Sequence, residues 1–311
     1  MDAKSKTESS THTSVLHALT AEDKLVTTGM RQMAAPNKGK LQGIAGREPF
    51  DAIMGHVAPP DDTIYEPDAL GGVRGWWCRP KSAPADSAIL HLHGGWFSWG
   101  SALAFRNFVG HIAKRANLNA FVPDYRLAPE NPFPAGLSDA KAAHSGMIER
   151  GIKKIALTGD SAGGGLALAL LLATTGANAP LGAAVLSPVT DLTLSGDSWT
   201  TRAESDPYFL RPQVESLILS YLNGHEPTDP LASPLFGNLA GLPPILVHVG
   251  DDEVLLDDSV RFVEKASAAG VDARLETWLG MPHGFAGAVG QLNAAGHALD
   301  SIGSFLARRL A

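Results

Sequence analysis

Short apolar runs alternate along most of the chain with longer segments of helical periodicity. An apolar run of this length, bounded by charged or turn-forming residues, predicts a short strand buried on both faces of a sheet. The predicted strands span residues 73–78, 88–93, 120–125, 183–187, 245–249 and 273–278, with one more between Lys154 and Gly159.

Helices are predicted between these strands. They cover residues 102–116, 136–150, the Ala/Leu run after Gly165, residues 257–269, and about 291–310. Strands that alternate with helices imply an α/β fold with a mostly parallel central sheet covered by helices on both faces. Such sheets place ligands at the carboxyl ends of their strands. We therefore expect the functional residues in the loops that follow the strands.

Two regions depart from this alternation. Residues 15–54 have helix-compatible periodicity broken around Pro36 and Gly39, and residues 191–231 cluster Asp, Ser, Pro and Gly around one helical segment, 212–223. The length suits one α/β domain with an insertion. We expect a single domain over residues 1–311, with a helical cap contributed by about 1–60 and 191–231.

Composition excludes several classes of partner. The 311 residues are 44% hydrophobic and 18% charged, with a net charge of −7 and a pI of about 5.9, so no basic surface favours nucleic acid or anionic lipid. The polar N-terminus lacks a secretory signal, and no apolar stretch is long enough to span a bilayer. Cys78 is the one cysteine and is expected to be a small buried residue. A cytoplasmic location follows as the expectation.

The chemistry centres on Ser161, in the sequence Gly159-Asp160-Ser161-Ala162-Gly163. A G-x-S-x-G pattern between a strand and a helix is typical of a nucleophile elbow, whose sharp turn raises the hydroxyl above the sheet. A nucleotide-binding turn is the alternative, but neither G-x-G-x-x-G nor G-x-x-x-x-G-K-[ST] occurs here. No H-E-x-x-H or clustered His/Cys spacing appears, so we expect neither a metal nor a cofactor.

A serine nucleophile needs a histidine base and an acid that orients it, and in this type of fold they follow the serine as acid, then histidine. His283 lies in a loop after the last predicted strand, whereas His297 lies within a helix. We predict His283 as the base. The candidate acids follow the strand 245–249, and composition does not choose among the three nearest ones, Asp251, Asp252 and Glu253. Asp257 and Asp258 suit a helix N-terminus.

Acyl transfer also needs N–H donors for an oxyanion. Ala162, directly after the serine, is predicted to supply one. The glycine-rich loop His93-Gly94-Gly95-Trp96 is predicted to supply the others from Gly95, Trp96 and Gly94, with His93 holding the loop and His91 remaining a strand residue.

Several motifs together resemble the hormone-sensitive lipase family of bacterial esterases, the GDxG group of the α/β-hydrolase fold. They are residues 159–164, the His-Gly-Gly loop, Asp124 to Glu130 with Phe133-Pro134-Ala135, residues 187–192 and residues 241–244. The resemblance covers about residues 70–310. It implies an N-terminal cap, a bracing role for Tyr125 to Glu130, and a homodimer formed through the exposed edge of the last strand.

Two positions depart from the family pattern. Trp96 stands where the family usually has a third glycine. The family's acid opens the pattern Asp-Pro-Leu-x-Asp, and the best match, Glu253-Val254-Leu255-Leu256-Asp257, implies Glu253 as the triad acid with Asp252 as the alternative.

The resulting expectation is a cofactor-free serine carboxylesterase for small to medium acyl esters. Large side chains are expected to narrow the acyl pocket; these are Trp96, Phe97, Tyr208, Phe209 and Leu210. The same site could hydrolyse lactones, amides or acetylated metabolites, and the fold also hosts non-enzymatic ligand receptors. A different lineage is represented by Ser138-x-x-Lys141 with Tyr221-x-Asn223, as in β-lactamase-like esterases.

Overall fold

Nine strands of the described chain pair into one sheet. The structure is a computed structural model that describes residues 13–311. The strands are β1 Thr13–His17, β2 Thr63–Leu70, β3 Val73–Pro80, β4 Ser87–Leu92, β5 Asn119–Pro123, β6 Lys154–Asp160, β7 Ala183–Leu186, β8 Ile245–Gly250 and β9 Ala273–Trp278. Their order across the sheet is β1-β9-β8-β7-β6-β4-β5-β3-β2. β3 is antiparallel to β2 and to β5, and all other pairs are parallel.

Helices lie between strands of the sheet and after the last strand, and five of them pack on the sheet. They are α1 Ala21–Ala34, α2 Arg47–Met54, α3 Ala102–Ala116, α4 Ala135–Glu149, α5 Ser161–Ala173, α6 Ser198–Thr201, α7 Arg211–Leu222, α8 Leu256–Ala268 and α9 Asn293–Leu310. Short 3₁₀ turns cover Ala35–Asn37, Ile44–Gly46, Gly176–Asn178, Pro234–Phe236 and Phe285–Gly287. Among residues 13–311, no helix has both the length and the apolar character needed to cross a bilayer.

The predicted α/β architecture is confirmed. Each of the seven predicted strands is present. Strands β4, β5, β6, β7 and β8 could be predicted because they are buried along all or nearly all of their length, which gives each a continuous apolar run in the sequence. α5 is apolar on all sides and is buried along most of its length. Its Ala/Leu run packs against β4, β6 and β7 of the sheet.

Two strands were not predicted, and both lie at edges of the sheet. β1 lies within residues 1–60, where only helices were expected, and that expectation is wrong for Thr13–His17. β2 contains Glu66, Pro67 and Asp68, and its alternating exposure gives no continuous apolar run. An edge strand is half-solvated, so its sequence carries a weaker signal. Residues 1–12 of the predicted cap lie outside the described residues.

The position of β1 corrects a second expectation. The last strand, β9, pairs with β8 on one side and with β1 on the other, from Thr13↔Arg274 to His17↔Trp278. The His17 ring stacks on Trp278 with centroids 3.7 Å apart, and its Nε2 lies 2.9 Å from Glu276. The edge of β9 is therefore occupied within the chain, and a dimer through an exposed β9 edge is not compatible with this arrangement.

Candidate active site

The predicted elbow joins β6 to α5. β6 ends at Asp160, and Ser161 opens the helix with a φ of 54°, a left-handed conformation that is strained for a residue with a side chain. Gly163 passes so close to β4 that a Cβ there would lie 2.0 Å from the Leu92 carbonyl oxygen, and a Cβ at Gly159 would lie 2.4 Å from that of Gly163. The turn can form only with glycines at these positions.

Glu253 is the candidate acid that lies against the candidate base. Its Oε2 is 2.5 Å from His283 Nδ1, and its side chain is completely buried. Its Oε1 accepts hydrogen bonds from Ser187 Oγ at 2.6 Å and from the Gly250 N–H at 2.7 Å. The carboxylate is thus held by the ends of β7 and β8, with one oxygen directed at the imidazole.

The other candidate acids have different partners. Asp252 pairs with Arg31 at 2.6 Å and is one-third exposed, and Asp251 accepts from the Gly280 N–H at 2.5 Å. Asp257 accepts a hydrogen bond from the Ser198 N–H, and Asp258 accepts one from the N–H of Thr190 in the loop after β7. The structure therefore brings Glu253, and not Asp252, to His283.

His283 lies in the loop between β9 and α9. Burial lowers its pKa, but the charge of Glu253 and the hydrogen bond to it, together with the charges of Asp206 and Asp160, outweigh burial and raise the pKa above its ordinary value. Because Nδ1 faces Glu253, Nδ1 carries the proton and Nε2 is left as the basic nitrogen. His297 lies exposed on α9, as predicted.

No hydrogen bond joins Ser161 Oγ to His283 within the described structure. Such contacts are often long in an unliganded site and shorten when substrate binds. The arrangement thus contains a preformed acid–base pair, Glu253 with His283, and a strained serine at the end of β6. The contact between the serine and the histidine is not made.

The oxyanion loop follows β4. Gly94 does not have a free donor, because its N–H donates to Asp160 Oδ1 at 3.1 Å, and the prediction for Gly94 needs correction on this ground. The N–H groups of Gly95 and Trp96 have no acceptor among the described residues, and both residues have positive φ angles, 117° and 50°. The donors that remain are Gly95, Trp96 and Ala162.

The two buried histidines at the end of β4 and in the loop after it have the roles predicted for them. His93 Nδ1 lies 2.9 Å from the Gly94 carbonyl oxygen, and burial lowers its pKa to about 4, so it holds the loop as a neutral ring. Tyr125 donates from its hydroxyl to the His93 carbonyl at 2.7 Å, which braces the same loop. His91 is a buried strand residue whose Nδ1 lies 2.9 Å from Thr158 Oγ1.

Comparisons with known proteins identify the fold and the family of the chain. A family model described as the alpha/beta hydrolase fold matches residues 89–287. A crystal structure of an esterase from the bacterial hormone-sensitive lipase family matches with a TM-score of 0.87 and 38% identity, covering 94% of this chain and 99% of that chain. The chain belongs to the hormone-sensitive lipase family. The resemblance found in the sequence is therefore confirmed.

Two curated relatives of this family member are named an acetyl-hydrolase and an esterase. An acetyl-hydrolase of Streptomyces hygroscopicus is 38% identical over 229 residues, which are 72% of this chain and 75% of that protein. An esterase of Acinetobacter venetianus is 37% identical over 256 residues, which are 80% of this chain and 84% of that protein.

The five predicted pocket residues of this hormone-sensitive lipase family chain do not form one cluster. Trp96 packs edge-on against Phe209, with ring centroids 5.4 Å apart, and Phe209 packs against His283 at 5.1 Å. The Tyr208 and Phe209 ring centroids lie 6.3 Å apart. Phe97 instead stacks on Tyr221 in the core, and Leu210 is 46% exposed. Phe209 is therefore the residue that packs on the base, and Trp96 packs on Phe209.

Sequence reasoning missed Asp206. Its side chain is completely buried, its Oδ1 accepts from the N–H groups of Tyr208 and Phe209, and its Oδ2 accepts from the Val254 N–H at 3.0 Å. Burial raises its pKa, although these hydrogen bonds and the charge of His283 act to lower it. Asp206 is one of many polar residues in its segment, so the sequence gives no local signal that its side chain is buried near His283 and accepts backbone N–H groups.

The rival serine motif is not assembled. Ser138 lies exposed on α4 and donates to the Pro134 carbonyl at 3.1 Å, and Lys141 is also exposed. Tyr221 of that motif is buried in its stack with Phe97. Cys78 is buried, as predicted, and burial raises the pKa of its thiol.

Proposed function

We propose that this chain hydrolyses carboxylic esters of small to medium acyl groups through a covalent acyl-enzyme on Ser161. It is a carboxylic ester hydrolase of the hormone-sensitive lipase family, and the esterase relatives support that class. The observation that carries the proposal is the buried Glu253–His283 pair at 2.5 Å in the loops beside a serine elbow.

The proposed mechanism follows from the orientation of His283. Its Nε2 removes the Ser161 hydroxyl proton while Oγ attacks the ester carbonyl, and Glu253 stabilises the imidazolium that forms. The N–H groups of Gly95, Trp96 and Ala162 stabilise the oxyanion. His283 then gives its proton to the leaving alcohol, and water activated by the same nitrogen releases the acid from Ser161.

The acyl group is proposed to be short. Trp96 occupies a position where this family usually has glycine, and its buried ring packs on Phe209, whose ring packs on His283. Large rings fixed beside the reacting carbonyl leave little room for a long chain. The relative named an acetyl-hydrolase is consistent with the same acyl size.

The activity is tested with a panel of p-nitrophenyl esters, wild type against Ser161→Ala. We expect acetate and butyrate to be cleaved faster than dodecanoate, and Ser161→Ala to abolish turnover. Ser138→Ala is the matched control and should behave as wild type. Faster cleavage of the dodecanoate would contradict the acyl size.

A fluorophosphonate probe separates an enzyme from a receptor on this fold. We expect one covalent adduct, located at Ser161 by mass spectrometry. Absence of the adduct in folded protein would favour the non-enzymatic receptor.

Residues 1–60 and 191–231 are proposed to form the cap over this site. Contacts between the two segments support the proposal: the Gly39 N–H donates to the Tyr208 carbonyl at 3.0 Å, and Gln213 Nε2 donates to the Leu41 carbonyl at 2.7 Å. A cytoplasmic location and a homodimer stay predictions from the sequence. Such a dimer would have to form through a surface other than the edge of β9, which β1 occupies.

A further inference from the structure

The loop that carries His283 is contacted at both ends by one N-terminal segment. This segment consists of β1 and α1, residues 13–34, and is called the strap below. The loop begins after β9, at residue 279, and ends where α9 begins, at Asn293. Four residues of the strap contact the loop, namely His17, Leu19, Asp23 and Arg31. The sequence predicted no role for any of them.

The strap holds the start of the loop through β1. The Leu279 N–H donates to the His17 carbonyl at 3.0 Å, which extends the β1–β9 pairing by one residue beyond Trp278. Leu19 packs on the next residue, Gly280, so closely that a Cβ at Gly280 would lie 2.6 Å from Leu19 Cδ2. The backbone leading to His283 is therefore fixed on its outer side by the strap.

The strap holds the end of the loop through Asp23 of α1. This carboxylate is buried, and its two oxygens accept from the N–H groups of Asn293 at 2.7 Å and Ala294 at 3.1 Å. These are free donors of the first turn of α9, and a carboxylate there also interacts favourably with the helix dipole. Asp23 thus caps α9 from a different part of the chain.

Arg31 of the strap connects this loop to the turn that carries the acid. Its Nη2 donates to Asp252 Oδ2 at 2.6 Å and to the Gly280 carbonyl at 3.3 Å, and its Nη1 donates to the Ser205 carbonyl. Asp252 directly precedes Glu253, Gly280 lies three residues before His283, and Ser205 directly precedes Asp206. One planar guanidinium therefore joins three segments that surround the base.

We propose that Arg31 is a positioning residue that stabilises the contact between the Glu253 turn and the His283 loop, with Asp23 and β1 fixing the loop's two ends. The inference rests on the proposed function. The acid–base hydrogen bond depends on where the two backbones lie. They meet directly, because the Asp252 N–H donates to the Met281 carbonyl at 3.3 Å and the Gly280 N–H donates to Asp251 Oδ1 at 2.5 Å, and Arg31 joins this contact to the Ser205 carbonyl of a third segment. The planar guanidinium contacts Asp252 and Gly280 with Nη2 and Ser205 with Nη1, and the single nitrogen of a flexible ammonium cannot hold all three in the same way.

The test compares Arg31→Ala and Arg31→Lys with wild type, using p-nitrophenyl acetate. We expect Arg31→Ala to lower kcat by roughly tenfold to a hundredfold, the range for a small misplacement of catalytic groups, with KM changed less than about twofold. The acid limb of the kcat/KM profile should move to lower pH, because His283 loses part of its contact with Glu253. Arg31→Lys should fall between Arg31→Ala and wild type.

Two controls separate positioning from stability. Arg115→Ala breaks an Arg–Asp pair of similar length, 2.7 Å to Asp300, between α3 and the middle of α9, where neither residue contacts the loop, and should leave kcat unchanged. Added guanidinium should restore part of the kcat of Arg31→Ala and should not affect Arg115→Ala. Thermal unfolding checks that each variant is folded at the assay temperature. If Arg31→Ala is not folded, Arg31→Lys is compared with wild type in its place.

The failures are distinguishable. If wild type cleaves no ester, or if Ser161→Ala retains wild-type activity, the proposed function fails. If wild type is active but folded Arg31 variants keep the wild-type kcat and acid limb, or change KM alone, only the role of Arg31 is overturned.

Discussion

At the scale of single residues, Glu253 both orients the His283 ring and raises its pKa. The hydrogen bond to Nδ1 leaves Nε2 free, and the negative charge raises the pKa of the ring against the effect of burial. Both effects come from one buried carboxylate held by Ser187 and Gly250. Its replacement by an amide should separate them, since the shape is kept and the charge is lost.

For Glu253→Gln we expect a fall in kcat of about 10²-fold to 10⁴-fold, as for other triads whose acid becomes an amide. The acid limb of kcat/KM should move to lower pH, because His283 is the base in its neutral form and loses the charge that raises its pKa. The measurement is kcat/KM for p-nitrophenyl acetate between about pH 5 and pH 9. Glu130→Gln, at an exposed glutamate, is the control; an acid limb moved to higher pH would contradict the assignment.

Trp96 is the residue expected to limit acyl length. Trp96→Gly introduces the residue usual in this family at a positive φ of 50°, a conformation that glycine adopts without strain. We expect the ratio of kcat/KM for p-nitrophenyl octanoate to that for acetate to rise by roughly tenfold or more, the range for added space in an apolar pocket. Leu210→Ala, at an exposed side chain, should leave the ratio unchanged. A lower ratio in Trp96→Gly would place the indole outside the pocket.

At the scale of elements, the first turn of α8 contains a buried acid that is not a triad member. Asp258 is completely buried, with Oδ2 accepting from the N–H groups of Thr190 and Asp191, while Oδ1 has no partner among the described residues. Burial raises its pKa to about 7, and the nearby charge of Asp191 adds to this effect. α8 is therefore joined to the loop after β7 by a carboxyl that titrates near neutral pH.

This carboxyl predicts a pH-dependent stability. Its pKa is higher in the folded than in the unfolded chain, so folding takes up a proton, and the stability contributed at low pH is lost as pH rises from about 4 to about 7. The loss is of the order of 1 kcal/mol per pH unit within that window.

Asp258→Asn should remove most of this dependence while keeping the oxygen that accepts both N–H bonds. The measurement is urea unfolding at about pH 5 and pH 7.5, and we expect a smaller difference in the free energy of unfolding for Asp258→Asn than for wild type. Asp257→Asn, at the half-buried neighbouring acid, is the matched control and should keep the wild-type difference. A variant with the full wild-type difference would mean that another group carries it.

At the scale of the whole molecule, β1 closes one edge of the sheet. Its five residues satisfy the outer side of β9, and His17 adds a ring stacked on Trp278. An uncovered β9 would present unpaired N–H and C=O groups to other chains.

Deletion of residues 1–17 should therefore increase self-association. We expect a concentration-dependent rise in mass by size-exclusion chromatography with light scattering, because β9 becomes an edge strand. Deletion of residues 1–12 leaves β1 in place and should match the full chain. If both deletions behave alike, the pairing of β1 does not protect this edge.

How much the sequence could predict depended on how local each signal was. The buried strands, the elbow at Ser161 and the loop position of His283 follow from short stretches of chain, so composition and spacing were sufficient. The family resemblance favoured Glu253 over Asp252 before any contact was known. β1 and β2 were missed because edge strands are only half-buried and lack a continuous apolar run.

The sequence by itself determined the α/β architecture, the elbow and the order of serine, acid and histidine, because steric rules and hydrophobic burial act within a few residues. Only the tertiary structure decided which neighbours each side chain has. Arg31, 221 residues away in sequence, pairs with Asp252 and leaves Glu253 to His283, and Asp160 takes the N–H of Gly94 from the oxyanion loop. Hydrogen bonds between distant segments have no local signature, since they form only after the sheet has brought those segments together.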